Sequence, residues 1–247
     1  MNGQTDSGEA GSAEAHTRGA EKFDHYGVAT AALVNEVYNS GIDRAVLLMR
    51  HSARTFDRSI NDLLNPLTEH GRGLSRRFGA ALPKHVRIRG YASPPERCME
   101  TAQITIDAHA AGGGAAGRTR PVEALGVFYA LDQQKMWKGL SQASGLPEYV
   151  GQWFAGDVPS DAMMPAEVAV QMVLRAMLGK LRDPAVQGKH LDLCVSHDMT
   201  LYTMRHGVGL EDLSGPEVEF LDGLILFERD GRFWMRSQFG REVEVSD

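Results

Sequence analysis

The sequence predicts an α/β domain built around a mostly parallel central sheet, and three observations carry that expectation. Ala45-Val46-Leu47-Leu48 and Leu191-Asp192-Leu193-Cys194-Val195 are short, almost unbroken apolar runs, the pattern of strands covered on both faces, as in a parallel sheet. Stretches with apolar residues at helical spacing lie between and around them. The chain has 247 residues, 43% hydrophobic and 23% charged, enough for one domain with a sizeable core.

Taken in order, residues 1–20 are small, polar and glycine-rich, so a disordered tail is expected before a folded domain spanning residues 21–247. Residues 23–38 carry apolar positions at helical spacing and stop before Ser40-Gly41, which predicts a helix packed on the sheet. The first apolar run then leads into Met49-Arg50-His51-Ser52-Ala53-Arg54. A second strand, Arg89-Gly90-Tyr91-Ala92, leads into Ser93-Pro94-Pro95-Glu96-Arg97-Cys98, read as the start of a helix with Arg97 in its first turn. Residues 111–118 form a glycine-rich flexible loop. Residues 128–187 read as mainly helical, most clearly over 146–154 and 165–181. Leu191 to Val195 is the next strand and ends directly in Ser196-His197-Asp198. Met199 to Thr203 should begin a helix that His206 closes, with Gly207 as its cap. Strands over 221–228 and 232–237 join at Asp230-Gly231, a strong hairpin signal, and extend one edge of the sheet.

The chemistry gathers at the strand ends. In open α/β sheets, ligands bind just beyond the carboxyl ends of the strands, and this is where Arg50, His51, Arg54, Arg97, His197 and Asp198 fall. Arginine presents a planar fork of donors matched to phosphate oxygens, and neutral imidazole is a competent nucleophile near neutral pH. Arg97 at a helix N-terminus adds free N–H groups and the positive end of the helix dipole. One histidine between arginines is common on solvated loops. Three strand ends carrying Arg-His-x-x-Arg, Ser-Pro-x-x-Arg and Ser-His-Asp, in that order, point to phosphate.

With these motifs, and with Asn65-Pro66-Leu67-Thr68-Glu69-His70-Gly71 as a Leu-Thr-x-x-Gly helix start, the chain resembles the histidine phosphatase superfamily from about Val46 to Phe227. That group includes cofactor-dependent phosphoglycerate mutases and histidine acid phosphatases. The resemblance implies a three-layer α/β/α sandwich with a helical insertion, about residues 128–187, over the active site. Tyr129, Lys135, Trp137 and Trp153 are then candidate lining residues, although core packing is the simpler role for the aromatics. The resemblance further implies that His51 becomes a phosphohistidine while Arg50, Arg54, Arg97 and His197 hold the phosphate. Asp198 matches the proton donor of the acid-phosphatase branch and is preferred to Glu123, which resembles the glutamate of the mutase branch. No metal and no cofactor are expected. Ser52 departs from the family, which usually has glycine after the histidine. Met204-Arg205-His206-Gly207 spells the family's Arg-His-Gly more faithfully, but it follows a predicted helix rather than a strand, and no second arginine follows it at the spacing of Arg54.

The expected function is hydrolysis of a small phosphomonoester through a phosphohistidine. The alternatives are a phosphomutase that returns the phosphoryl group to its substrate, and a non-catalytic phosphate-binding module in which Ser52 has spoiled the loop. A net charge of −6 argues against a general nucleic-acid binder. No apolar stretch approaches the ~20 residues needed to span a bilayer, and no cationic start precedes an apolar core, so no membrane partner and a cytoplasmic location are expected. Cys98 and Cys194 are expected as free thiols, too few for a zinc site. Met163, Met164, Met172 and Met177 are expected to fill the core.

Overall fold

A computed structural model describes residues 25–57 and 59–246. The expected disordered tail and the first residues of the expected 23–38 helix lie outside the described residues. Helix α1 (Val28–Asn39) follows a turn at Gly27 with φ 80°. Strand β1 (Arg44–Arg50), helix α2 (Glu69–Ala81), strand β2 (Arg87–Ala92), helix α3 (Glu96–Ala111) and strand β3 (Ala116–Pro121) come next. Part of the glycine-rich segment expected as a loop therefore belongs to β3, whose parallel pairing with β2 supplies the backbone partners that composition did not reveal.

Residues 128–187 hold helices α4 (Gln133–Gln142), α5 (Leu146–Ala155) and α6 (Ala166–Leu181). Strand β4 (His190–Ser196), helix α7 (Asp198–Gly207), and strands β5 (Gly223–Arg229), β6 (Arg232–Ser237) and β7 (Glu242–Val245) complete the chain. The seven-stranded sheet has the order β3-β2-β4-β1-β5-β6-β7. The four strands from β3 to β1 pair in parallel, whereas β5, β6 and β7 pair antiparallel. Asp230 and Gly231 both have positive φ, 55° and 73°, the geometry that lets two residues reverse a twisted strand pair. The expected hairpin is thus present, but β5 sits inside the sheet beside β1, and the outer edge is β7.

The side chains of β1 alternate between two cores. Leu47 and Met49 face Leu33, Val34, Leu74, Phe78 and Ile106, from α1, α2 and α3. Val46 and Leu48 face Val173, Leu174, Met177, Leu201 and Met204, from α6 and α7. This gives the three-layer α/β/α sandwich. α6 lies directly on β1 and β5, while α4 and α5 pack against one another and α5 against α7. Tyr129 and Trp153 are buried in this second core, Tyr129 donating to or accepting from Thr200 at 3.0 Å and Trp153 donating to the Met164 carbonyl. Met163 and Met177 are core residues, but Met172 is exposed on the outer side of α6. Among the described residues, no helix is long and apolar enough to cross a membrane.

Candidate active site

Parallel register places three strand ends side by side. Arg50 pairs with Ser196 and Ala92 with Val195. The ladder then continues one residue further, His51 N–H donating to the Ser196 carbonyl at 3.0 Å and Ser93 N–H to the Val195 carbonyl at 2.9 Å. His51, Ser93 and His197 are thereby fixed as neighbours at one edge of β1, β2 and β4.

His51 is buried, and its Nδ1 lies 2.8 Å from the Ser52 carbonyl. A carbonyl can only accept, so Nδ1 carries the proton and Nε2 keeps its lone pair. Arg97 Nε donates to that nitrogen at 3.2 Å. Burial, with His197, Arg50 and Arg97 adding to it, holds the His51 pKa well below the usual histidine value, so the ring is neutral and nucleophilic near pH 7. His197 stands edge-on, its ring centre 5.6 Å from that of His51. Its Nε2 shares a hydrogen bond with Ser93 Oγ at 2.9 Å, and burial keeps this imidazole neutral as well. The Cys98 thiol lies 3.8 Å from His197, but burial pushes its pKa up to about 12, so it is no competing nucleophile.

Three guanidinium groups surround the two histidines. Arg97 is the second residue of α3, as expected. Arg50 donates to the Val218 carbonyl at 2.7 Å, pairs with Asp198 at 2.8 Å and lies 4.2 Å above the Phe220 ring. Arg54 pairs with Asp62 at 2.7 Å. Arg97 donates to the carbonyl of the same Asp62 at 2.7 Å and to its carboxylate at 3.2 Å. Desolvation by burial lowers the Arg54 pKa.

The His51 loop is fixed by the Leu-Thr-x-x-Gly segment. Thr68 caps α2 by accepting from Gly71 N–H at 3.0 Å, and its own N–H donates to the Ala53 carbonyl at 3.1 Å. A Cβ on Gly71 would lie 2.0 Å from that carbonyl oxygen, so only glycine lets α2 approach so closely. Ser52 Oγ donates to the Gly71 carbonyl at 2.7 Å, and Ser52 N–H donates to Thr101 Oγ at 3.1 Å. Ser52 has no positive φ, the non-glycine residues with that property being Leu221 and Asp230 among the described residues. The loop accommodates serine without strain and uses its hydroxyl.

Of the expected site residues, the structure brings together His51, Arg50, Arg54, Arg97, His197 and Asp198. Glu123 opens a short 3-10 helix, Glu123–Leu125, with an exposed side chain, on a segment bonded to the same strand ends: Val122 N–H donates to the Ala92 carbonyl at 2.8 Å and Ser196 Oγ to the Leu125 carbonyl at 2.6 Å. Lys135 pairs with Asp161, and Trp137 is exposed on α4. His206 is at the far end of α7 with its ring 4.7 Å from Phe154. Gly207 is not the cap of that helix. A Cβ there would lie 2.3 Å from Val170 Cγ2, so it serves the packing of α7 on α6, and the left-handed residue is Gly209, φ 71°. Sequence reasoning missed Asp62, Ser93 and Phe220. Ser93 stood within a recognised motif. Asp62 opens a short 3-10 helix and Phe220 lies in a turn, and neither carries a local signal for its long-range partners.

No protein-family model matches the chain, and no curated protein matches its sequence. A phosphoglycerate mutase from Bacillus anthracis str. Sterne matches in structure over 80% of this chain and 94% of that one, with a TM-score of 0.54 at 17% identity. The chain has the phosphoglycerate mutase-like fold. A phosphoserine phosphatase mutant from Entamoeba histolytica, solved in complex with phosphoserine, matches over 82% of this chain and 95% of that one, with a TM-score of 0.50 at 16% identity. The phosphoglycerate mutase-like fold is the one implied by the resemblance to the histidine phosphatase superfamily, and it places the strand-end motifs at the sheet edge where open α/β sheets take ligands.

Proposed function

We propose that the chain is a phosphomonoester hydrolase that forms a phosphohistidine on His51. One observation carries the reading: a buried neutral imidazole, with its proton held on Nδ1 by the Ser52 carbonyl, turns its Nε2 lone pair toward Arg97 and into a ring of three guanidinium groups. A phosphate ester carries about −1.5 to −2 charge at pH 7. Arg50, Arg54, Arg97 and His197 hold its oxygens, and Nε2 attacks phosphorus in line. The N–P bond forms as the ester P–O bond breaks. Asp198 sits at the start of α7 against Arg50; when the phosphate takes its place on that guanidinium the freed carboxylate picks up a proton, and the leaving alkoxide takes this proton from it. Water then attacks the phosphohistidine, gives its proton to Asp198, and releases phosphate and His51. Hydrogen bonds to charged groups contribute ~1.5 to 3 kcal/mol each, so three arginines provide the charge neutralisation that a metal gives other phosphoryl-transfer enzymes. The deciding experiment is a panel of small phosphomonoesters assayed for free phosphate. Release with turnover supports a hydrolase; recovery of a rearranged phosphorylated substrate, without free phosphate, supports a mutase instead.

A further inference from the structure

Asp62 places a carboxylate between two of the guanidinium groups assigned to phosphate. Its Oδ1 lies 2.7 Å from Arg54 Nη2 and its Oδ2 3.2 Å from Arg97 Nη2, and its carbonyl oxygen accepts from Arg97 Nη1 at 2.7 Å. A planar guanidinium pairs with carboxylate and phosphate through the same fork of donors, so Asp62 takes up donors that a phosphoryl group needs.

The loop that delivers Asp62 is closed on itself. Thr55 N–H donates to the Pro66 carbonyl at 2.9 Å. Asn65 accepts from Asp57 N–H at 2.9 Å and donates to the Asp57 carbonyl at 3.2 Å. At the tip, Asn61 caps the 3-10 helix Asp62–Leu64 by accepting from Leu63 N–H at 2.9 Å. The apolar residues of the tip bury little: Ile60, Leu63 and Leu64 are 42%, 38% and 70% exposed. The tip is therefore tied to the pocket by the charged contacts of Asp62 more than by a core. A loop with its own internal bonds and little apolar burial is cheap to displace.

We propose that Asp62 is a positioning residue that stands in for phosphate: it holds Arg54 and Arg97 together in the empty site and yields its place when a phosphoryl group binds. Two like-charged guanidinium groups repel, and the carboxylate between them offsets that repulsion until substrate arrives. Phosphate must displace Asp62, so the measured affinity is the intrinsic affinity reduced by the fraction of chains in which the loop has withdrawn. The inference rests on reading this pocket as a phosphate site.

The test is calorimetric titration of the full chain with inorganic phosphate at pH 7, for the wild type, Asp62→Asn and Asp62→Ala, alongside the urea midpoint of each without ligand. Asp62→Asn is expected to bind phosphate about ten- to a hundred-fold more tightly, the equivalent of one charge-assisted contact no longer competing. Its ligand-free midpoint should fall, and added phosphate should raise that midpoint by more than in the wild type. A residue with a merely structural role would lower the midpoint and leave phosphate affinity unchanged, and that result overturns the proposal. Weaker phosphate binding in both variants also overturns it, because Asp62 would then help to hold the ligand. If wild type and variants alike fail to bind phosphate, the reading of the pocket as a phosphate site is itself wrong.

Discussion

Asp198 Oδ2 lies 2.8 Å from Arg50 Nη2, so the side chain proposed to protonate the leaving group, once it has taken up a proton, is tethered here to a guanidinium proposed to hold the phosphate. The pairing keeps Asp198 beside the ester oxygen, but it also gives Asp198 a second conceivable role, that of aiming Arg50.

Leaving-group dependence separates the two roles. An alkoxide needs a proton in the transition state, p-nitrophenolate hardly does, and general acid catalysis supplies ~10² to 10⁴ in rate. Asp198→Asn should slow alkyl phosphates by about that factor and p-nitrophenyl phosphate far less. Equal losses on both substrates would assign Asp198 to positioning Arg50. Glu123→Gln should slow both substrates by similar factors; an alkyl-selective loss there instead would move the acid to Glu123.

Arg97 reaches His51 and Asp62 at once. Arg97→Ala should cost about 2 to 4 kcal/mol in kcat/KM, the scale of removing one donor from a developing charge. Activity should persist in EDTA and be inhibited by vanadate. Complete loss on chelation with rescue by added metal would contradict the assignment of charge neutralisation to the arginines.

Gly71 offers a stability test with an internal control. A Cβ at Gly71 meets Ala53 backbone atoms at 2.0, 2.9 and 3.1 Å, whereas one at Gly73, on the same helix, meets nothing within 4 Å. Overpacking costs ~1 to 3 kcal/mol, while alanine for glycine inside a helix gains up to ~1 kcal/mol. Chemical denaturation should therefore show Gly71→Ala destabilised, with reduced turnover because the His51 loop has moved, and Gly73→Ala neutral or stabilised.

The two site histidines contribute to the pH dependence of stability. Burial lowers the pKa of both His51 and His197 in the folded state. As pH falls below about 6.5, the ordinary histidine value, the unfolded chain takes up protons that the folded chain does not, and stability is lost by up to ~1.4 kcal/mol per pH unit for each histidine. Above that value the effect vanishes. Urea midpoints at pH 7 and pH 5 should show a steeper acid loss for the wild type than for His197→Asn. Parallel losses would mean that His197 is not held neutral.

Much of this arrangement was readable before any fold was known, because each motif is short and sits where a strand stops. Arg50-His51, Ser93 to Arg97 and His197-Asp198 each announce a strand end or a helix start, and parallel pairing of β1, β2 and β4 then brings them together. Asp62 was not readable: it is one acidic residue in the segment between β1 and α2, and its partners at Arg54 and Arg97 are joined to it only through the fold. Phe220 was equally silent, since its place against Arg50 and His51 depends on a turn at Leu221 with φ 63°. Strand β7 did leave a signal. Glu242-Val243-Glu244-Val245 alternates polar and apolar residues, the pattern of a half-buried edge strand.

The central claim is that His51, and no other histidine, carries the phosphoryl group. Mixing the chain with a radiolabelled phosphomonoester and quenching within the first turnover should trap a phosphoenzyme stable to base and labile to acid. His51→Ala should abolish both this species and phosphate release while the chain stays folded, and His206→Ala should retain both. A phosphoenzyme that persists in His51→Ala, or disappears in His206→Ala, would contradict the account.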